Sequence, residues 1–286
     1  MREYDEATLH RVQQTELSIL KDFMRLCDDN GLRYFGMAGT GIGALRHGGF
    51  IPWDDDIDVG MPREDFDRFL ALAKEQLSDR YTVMNVDENE NYPLRTTRLM
   101  KKATKFREEA LKDIDAELGI FLDLYPFDHI SDDPKKRKKQ MRQAFIYSKL
   151  LILRSIPRPV VGFGGWKKKA AHAACTVVHG CMVLLGISKK KLAQKCLEAS
   201  TRHNDETDSE WMDFLCDTTP QMNLYRSRDL FPLQKLPFED VELNFPRDMH
   251  ENLTGMYGDY MQLPPVEKRK NHFPYELDFG DGEGIQ

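Results

Sequence analysis

Residues 39–58 read GTGIGALRHGGFIPWDDDID: a small-residue turn, a short helical stretch, an irregular apolar segment and then a run of carboxylates. Side chains alternate faces along a strand, so a strand over residues 54–61 puts Asp54, Asp56 and Asp58 on one face, with Ile57 and Val59 on the other. Asp55 then points away, and its replacement by Asn is expected to matter less. Carboxylates sharing a face repel one another, and a hard divalent cation relieves the repulsion. Mg²⁺ or Mn²⁺ is therefore the expected cofactor, with Asp56 and Asp58, which bracket Ile57, as ligands. A helix–loop–helix calcium site is excluded by register. With Asp54 as position one, Val59 stands where that loop requires Gly and Asp65 where it requires Glu.

Downstream, residues 119–127 (GIFLDLYPF) make the strongest strand pattern in the chain, interrupted by one carboxylate, Asp123. A lone ion in an apolar strand is costly unless paired or bound to metal. Either Asp123 pairs with an arginine such as Arg95 or Arg98, or it joins Asp56 and Asp58 at a metal. If the strands carrying Asp58 and Asp123 are neighbours, three carboxylates converge, enough for two-metal phosphoryl or nucleotidyl transfer. Upstream, Gly39-Thr40-Gly41 is expected to form a tight turn before a helical turn at residues 42–47, where backbone N–H groups can approach a phosphate. Neither a Walker A nor a dinucleotide-binding glycine pattern is present.

Helical spacing predicts an amphipathic helix over residues 8–30 ending at Gly31 and a second one from residue 62 onward. Short strands are expected at residues 32–37, 81–86 and 94–100, a hairpin at 233–245 and a helix at 250–260. Helices dominate residues 134–204. Charge divides the chain at the same place. Residues 134–197 hold sixteen Lys or Arg and no acid; subtracting them from 41 leaves 25 basic against 47 acidic residues, or −22 for the remainder. The expected fold class is α+β: a mixed β-sheet flanked by helices, with an added basic helical lobe. The expected division is a catalytic core at 1–133, the lobe at 134–204, and a C-terminal part at 205–286 that completes the catalytic domain.

The run from Gly39 to Asp58, with its extension through GMPREDF, resembles the LicD family of phosphorylcholine transferases and fukutin-like proteins, members of the nucleotidyltransferase-fold superfamily. The resemblance takes in Cys27 and Tyr34-Phe35 upstream, then FLDLYPFD at residues 121–128, FPL at 231–233, LPFE at 236–239 and MYGDYMQLPP at 256–265. It passes over the basic helical stretch. Two departures stand out: Ala38-Gly39 replaces the usual paired glycine before Thr40, and Gly41-Ile42 replaces the usual leucines after it. The resemblance implies a nucleotidyltransferase-like sheet, Asp56, Asp58 and Asp123 as catalytic metal carboxylates, and Gly39 and Thr40 beside the donor phosphates. Arg46, His47 and Arg98 are the candidates for contacting phosphate, and His47 or His272 for assisting proton transfer. The implied reaction moves phosphorylcholine, or a related phospho-alditol, from a CDP-linked donor to the hydroxyl of a glycan or lipid-linked glycan.

Five cysteines form an odd set without a CxxC pair, against a disulfide framework or a cysteine zinc site. The polar, acidic opening MREYDEATLHRVQQTELS has no secretory signal pattern. The expected location is the cytoplasm, with the basic stretch available for peripheral contact with an anionic membrane at its inner face; no nucleic-acid partner is expected. Two other readings stand beside the phosphotransferase. One is a glycosyltransferase that uses Asp56-Ile57-Asp58 as its DxD motif, although such enzymes place a nucleotide-binding βαβ unit ahead of it. The other is a non-catalytic membrane-docked scaffold, against which the intact acidic triad weighs.

Overall fold

The computed structural model describes residues 4–162 and 164–285, folded as a mixed α/β structure. Helix α1 (Glu6–Asp29) starts at Asp5, whose carboxylate accepts the Thr8 N–H at 2.9 Å, and is closed by Gly31 in the left-handed region at φ 62°. Its inner face carries Val12, Glu16, Leu20, Phe23 and Cys27 at helical spacing, all buried. Strand β1 (Phe35–Gly36), helix α2 (Ala38–His47), strand β2 (Asp58–Pro62) and helix α3 (Arg63–Gln76) follow. Next come β3 (Tyr81–Met84), β4 (Thr97–Lys101), β5 (Lys105–Glu108) and β6 (Phe121–Ile130).

The central sheet runs in the order β1-β2-β6-β4-β3, with β2 parallel to β6 and the other pairs antiparallel. The far end of β6 pairs with β7 (Trp211–Asp213), which pairs with β8 (Tyr225–Arg226). Arg63 anchors the start of α3 by donating to both carboxylate oxygens of Asp128 on β6, at 2.8 and 3.0 Å. Three helices occupy the basic stretch: α4 (Pro134–Ser155), α5 (Gly165–Leu184) and α6 (Lys189–Ser200). Helix α4 is joined to the rest of the chain by a core that includes Ile130, Met141, Ala144, Ala199 and Leu215. Helix α7 (Ser227–Leu230) precedes the hairpin β9 (Gln234–Phe238) and β10 (Val241–Phe245), then helix α8 (His250–Tyr257). Strand β11 (Pro274–Asp278) joins β12 (Gly284–Ile285) and returns to β5.

Two expectations are corrected. The strand expected over residues 54–61 begins only at Asp58, because the chain turns at Asp54, whose N–H donates to the Ile51 carbonyl at 2.9 Å. The Gly39-Thr40-Gly41 turn is the first turn of α2 itself, entered through Ala38 at φ 47°. L-residues avoid that left-handed conformation, and the paired glycine missing from this position would take it without strain.

The loop after α2 lies directly on that helix. A Cβ at Gly43 would stand 2.3 Å from the Gly49 carbonyl oxygen, a backbone atom that cannot swing aside. Gly43→Ala is expected to destabilise the protein by about 2–3 kcal/mol. Gly255→Ala, in the body of α8 with nothing within 4 Å, should instead gain about 0.5–1 kcal/mol from helix propensity. Thermal unfolding of the two variants checks the contrast; equal midpoints would refute the packing argument.

Candidate active site

The parallel pairing of β2 and β6 sets Asp58 directly opposite Asp123, and the antiparallel pairing of β4 and β6 sets Arg98 opposite Asp123 on the other side. Neighbouring strands lie about 4.8 Å apart, so Asp58, Asp123 and Arg98 form one row across the sheet. Tyr125 donates its hydroxyl to Asp58 Oδ1 at 2.9 Å. The Asp58 N–H donates to Thr40 Oγ at 2.9 Å, and its carbonyl accepts the Met37 N–H at 3.1 Å. Thr40 therefore fastens the start of α2 to the start of β2. Gly39 has a related role: a Cβ there would fall 2.9 Å from Asp54 Oδ2, so only glycine lets that carboxylate rest against the helix start, where negative charge is favoured.

Beside the row, the ligand atoms of Asp54, Asp55, Asp56 and His272 all lie within 4.8 Å of one another. Asp55 is fully buried; it accepts the Tyr4 hydroxyl at 2.7 Å and the His272 N–H at 2.6 Å. It is an anchor for the two ends of the chain, and the strand alternation that turned it away does not apply because the strand starts three residues later. The His272 ring is half-exposed, its Nδ1 3.3 Å from Asp56 Oδ2 and 3.5 Å from Asp55 Oδ1. The Asp56 carboxylate raises the His272 pKa well above its usual value.

The site carries excess negative charge. Burial, then Asp55, pushes the Asp54 carboxyl up to about 7. Burial raises Asp56 and Asp58 well above the carboxylate range, reinforced for Asp56 by Asp54 and for Asp58 by Asp56 and Asp123. Burial also raises Asp123, although Arg98 opposes it. Under the cluster lies Glu16 of α1, wholly buried, with neither carboxylate oxygen hydrogen-bonded. Burial raises its pKa well above the usual value, and Asp56 is the strongest of the neighbouring charges that add to the rise. Crowded oxygen donors and an orphaned carboxylate are what a hard divalent cation would relieve, so the residues present fit Mg²⁺ or Mn²⁺.

Arg98 is buried, 3.1 Å from Asp123 Oδ1 and 2.7 Å from Glu108 Oε2, and its guanidinium lies 3.7 Å above the Phe121 ring. Its charge is committed to the two carboxylates. Arg46 and His47 sit at the other end of α2, where Arg46 donates to the Tyr260 carbonyl at 2.6 Å and from Nε to His47 Nε2 at 2.9 Å. Arg46 and Arg269 both reach Trp53, at 6.0 and 4.2 Å from its ring centroid, and neither has a carboxylate partner among the described residues. Burial, then the charge of Arg269, lowers the Arg46 pKa. Two uncompensated guanidinium groups thus flank the residue that precedes Asp54.

Sequence reasoning did not single out Glu16, Tyr4, Glu108 or Arg269. Glu16 had a signal, since it falls four residues after Val12 on the apolar face of α1. The other three meet the site only through contacts distant in sequence.

These features define a chain with an acidic centre on a mixed sheet, and comparison with known proteins finds similarity over the same segment. The model described as LicD/FKTN/FKRP, nucleotidyltransferase domain, matches residues 31–164. Over that span, a little under half of the chain, the sequence is similar to the LicD family. It is 29% identical over 272 residues to the lipopolysaccharide cholinephosphotransferase LicD of Haemophilus influenzae, covering 93% of this chain and 96% of that protein. A shorter match, 41% identical over 54 residues, links it to an uncharacterised protein of Rickettsia typhi, covering 19% of this chain and 18% of that one.

Proposed function

We propose that this protein transfers phosphorylcholine, or a closely related phospho-alditol, from a CDP-linked donor to a glycan hydroxyl, on a nucleotidyltransferase-like fold. The observation that carries the reading is Asp58 facing Asp123 across parallel strands with Asp56 beside them. The full-length similarity to a lipopolysaccharide cholinephosphotransferase supports the choice of group transferred.

Asp56, Asp58 and Asp123 would hold Mg²⁺ or Mn²⁺, which when bound neutralises diphosphate charge and polarises the phosphorus centre. The chain's own groups do the rest. Arg46 and Arg269 offer two unpaired cations to the donor's phosphates beside Trp53. Thr40 and Gly39 hold α2 against the carboxylate row, and Tyr125 fixes the Asp58 side chain. The acceptor oxygen bonds to the β-phosphorus as the bond to CMP breaks, and a carboxylate of the cluster takes the hydroxyl proton.

The test is nucleotide release. CDP-choline with Mg²⁺ should yield CMP, EDTA should stop it, and added Mg²⁺ or Mn²⁺ should restore it. If UDP-sugars are consumed and no CDP compound is, the protein is a glycosyltransferase and the proposal falls.

A further inference from the structure

Helix α5 has the polarity of a surface helix reversed. Residues 170–188 carry no charged side chain. Its histidines turn inward: a ring nitrogen of His172 lies 3.1 Å from the Pro159 carbonyl, and one of His179 lies 3.0 Å from the Leu153 carbonyl. Met182 is the buried residue of the same face. The apolar residues face out instead, with Val177 65%, Leu184 88% and Leu185 76% exposed, and Trp166 at the start of the helix 75% exposed. Surface helices normally place apolar side chains inward and charged ones outward, and a contiguous apolar face left in water marks an interaction surface.

Charge identifies what covers it. Lys167, Lys168 and Lys169 are exposed at the start of α5, Lys190 and Lys191 just beyond its end, and residues 134–197 contain no acid. A second copy of the face would bring lysines against lysines in either orientation. Among the described residues no single helix is long and apolar enough to cross a membrane; α5 reaches that length and apolarity only together with the segment Lys189–His203, from which it is bent by 103°. We propose that α5 lies in the plane of an anionic phospholipid surface, its Val and Leu face in the acyl boundary and its flanking lysines on the headgroups.

Co-sedimentation with vesicles tests this without reference to catalysis. The protein should pellet with phosphatidylcholine vesicles containing phosphatidylglycerol, and binding should fade at high salt. Changing the five exposed lysines to Gln should weaken it by about tenfold or more. Leu184→Asp with Leu185→Asp should abolish it with an unchanged unfolding midpoint, since both side chains are in water; should that pair unfold, the lysine variant still decides. Absence of binding, equal partition to neutral and anionic vesicles, or wild-type binding by the lysine variant would overturn the proposal. So would a concentration-dependent dimer that Leu184→Asp dissolves, which would assign the face to a second copy.

Discussion

Asp58→Asn is expected to lower CMP release from CDP-choline by about 10³-fold or more at saturating Mg²⁺, with no loss of fold stability. The substitution keeps the shape of the side chain and removes its charge. Tyr125 still has an oxygen to donate to, and the backbone bonds of residue 58 to Thr40 Oγ and to the Met37 N–H do not involve the side chain. Asp58 is also a source of strain in the unliganded cluster, since burial, Asp56 and Asp123 all raise its pKa. Neutralising it relieves repulsion, so the unfolding midpoint without metal should stay level or rise. A carboxylate whose loss leaves the fold intact and removes turnover is present for the ion and the transferred group. Steady-state release of CMP with a parallel thermal unfolding curve reads both quantities. Activity within tenfold of wild type at saturating Mg²⁺ would sink the assignment of Asp58 as a metal carboxylate.

How far this site was readable follows from which interactions are local. The segment from Gly39 to Asp58 contains its own turn, helix and carboxylates, so the candidate site is legible from the sequence alone. Its internal geometry was less accessible. Strand alternation was applied to Asp54 and Asp55, which lie in a turn, so their orientations could not follow from it. Asp123 shows the limit well: metal carboxylate and partner of Arg98 were alternatives in sequence, yet the Arg98 contact is present at the same carboxyl group that faces Asp58. A carboxylate has two oxygens, and pairing one with a buried cation leaves the other for an ion. The contacts of Asp55 with Tyr4 and His272 are 51 and 217 residues apart in sequence. Strand β5 was missed for the same reason, because its partner β11 arrives from the far end of the chain.

Arg98→Met should cost about 3–5 kcal/mol of stability, which for a protein of this size is a fall in unfolding midpoint on the order of 10 °C. Met fills much of the volume and keeps contact with Phe121, so the loss is electrostatic in origin. Arg98 is buried between Asp123 and Glu108, and removing it strands two carboxylates out of water. Burial favours a raised Glu108 pKa, but Arg98 more than offsets this and holds it below the usual range. In the native protein Glu108 therefore contributes stability above its unfolded pKa, lost as pH falls through the folded value. Without Arg98 the sign reverses: Glu108 is largely shielded from water and unpaired, its pKa moves up, and the folded state loses stability as pH rises. The deficit of Arg98→Met should accordingly be larger at pH 8 than at pH 5.5, and adding Glu108→Gln should recover part of it at the higher pH. Denaturant unfolding of the single and double variants at both pH values gives the four numbers needed. A deficit below about 1 kcal/mol would place the pair among interactions of surface strength, and a deficit independent of pH that Glu108→Gln leaves untouched would show that Arg98 acts through packing on Phe121 and not through charge.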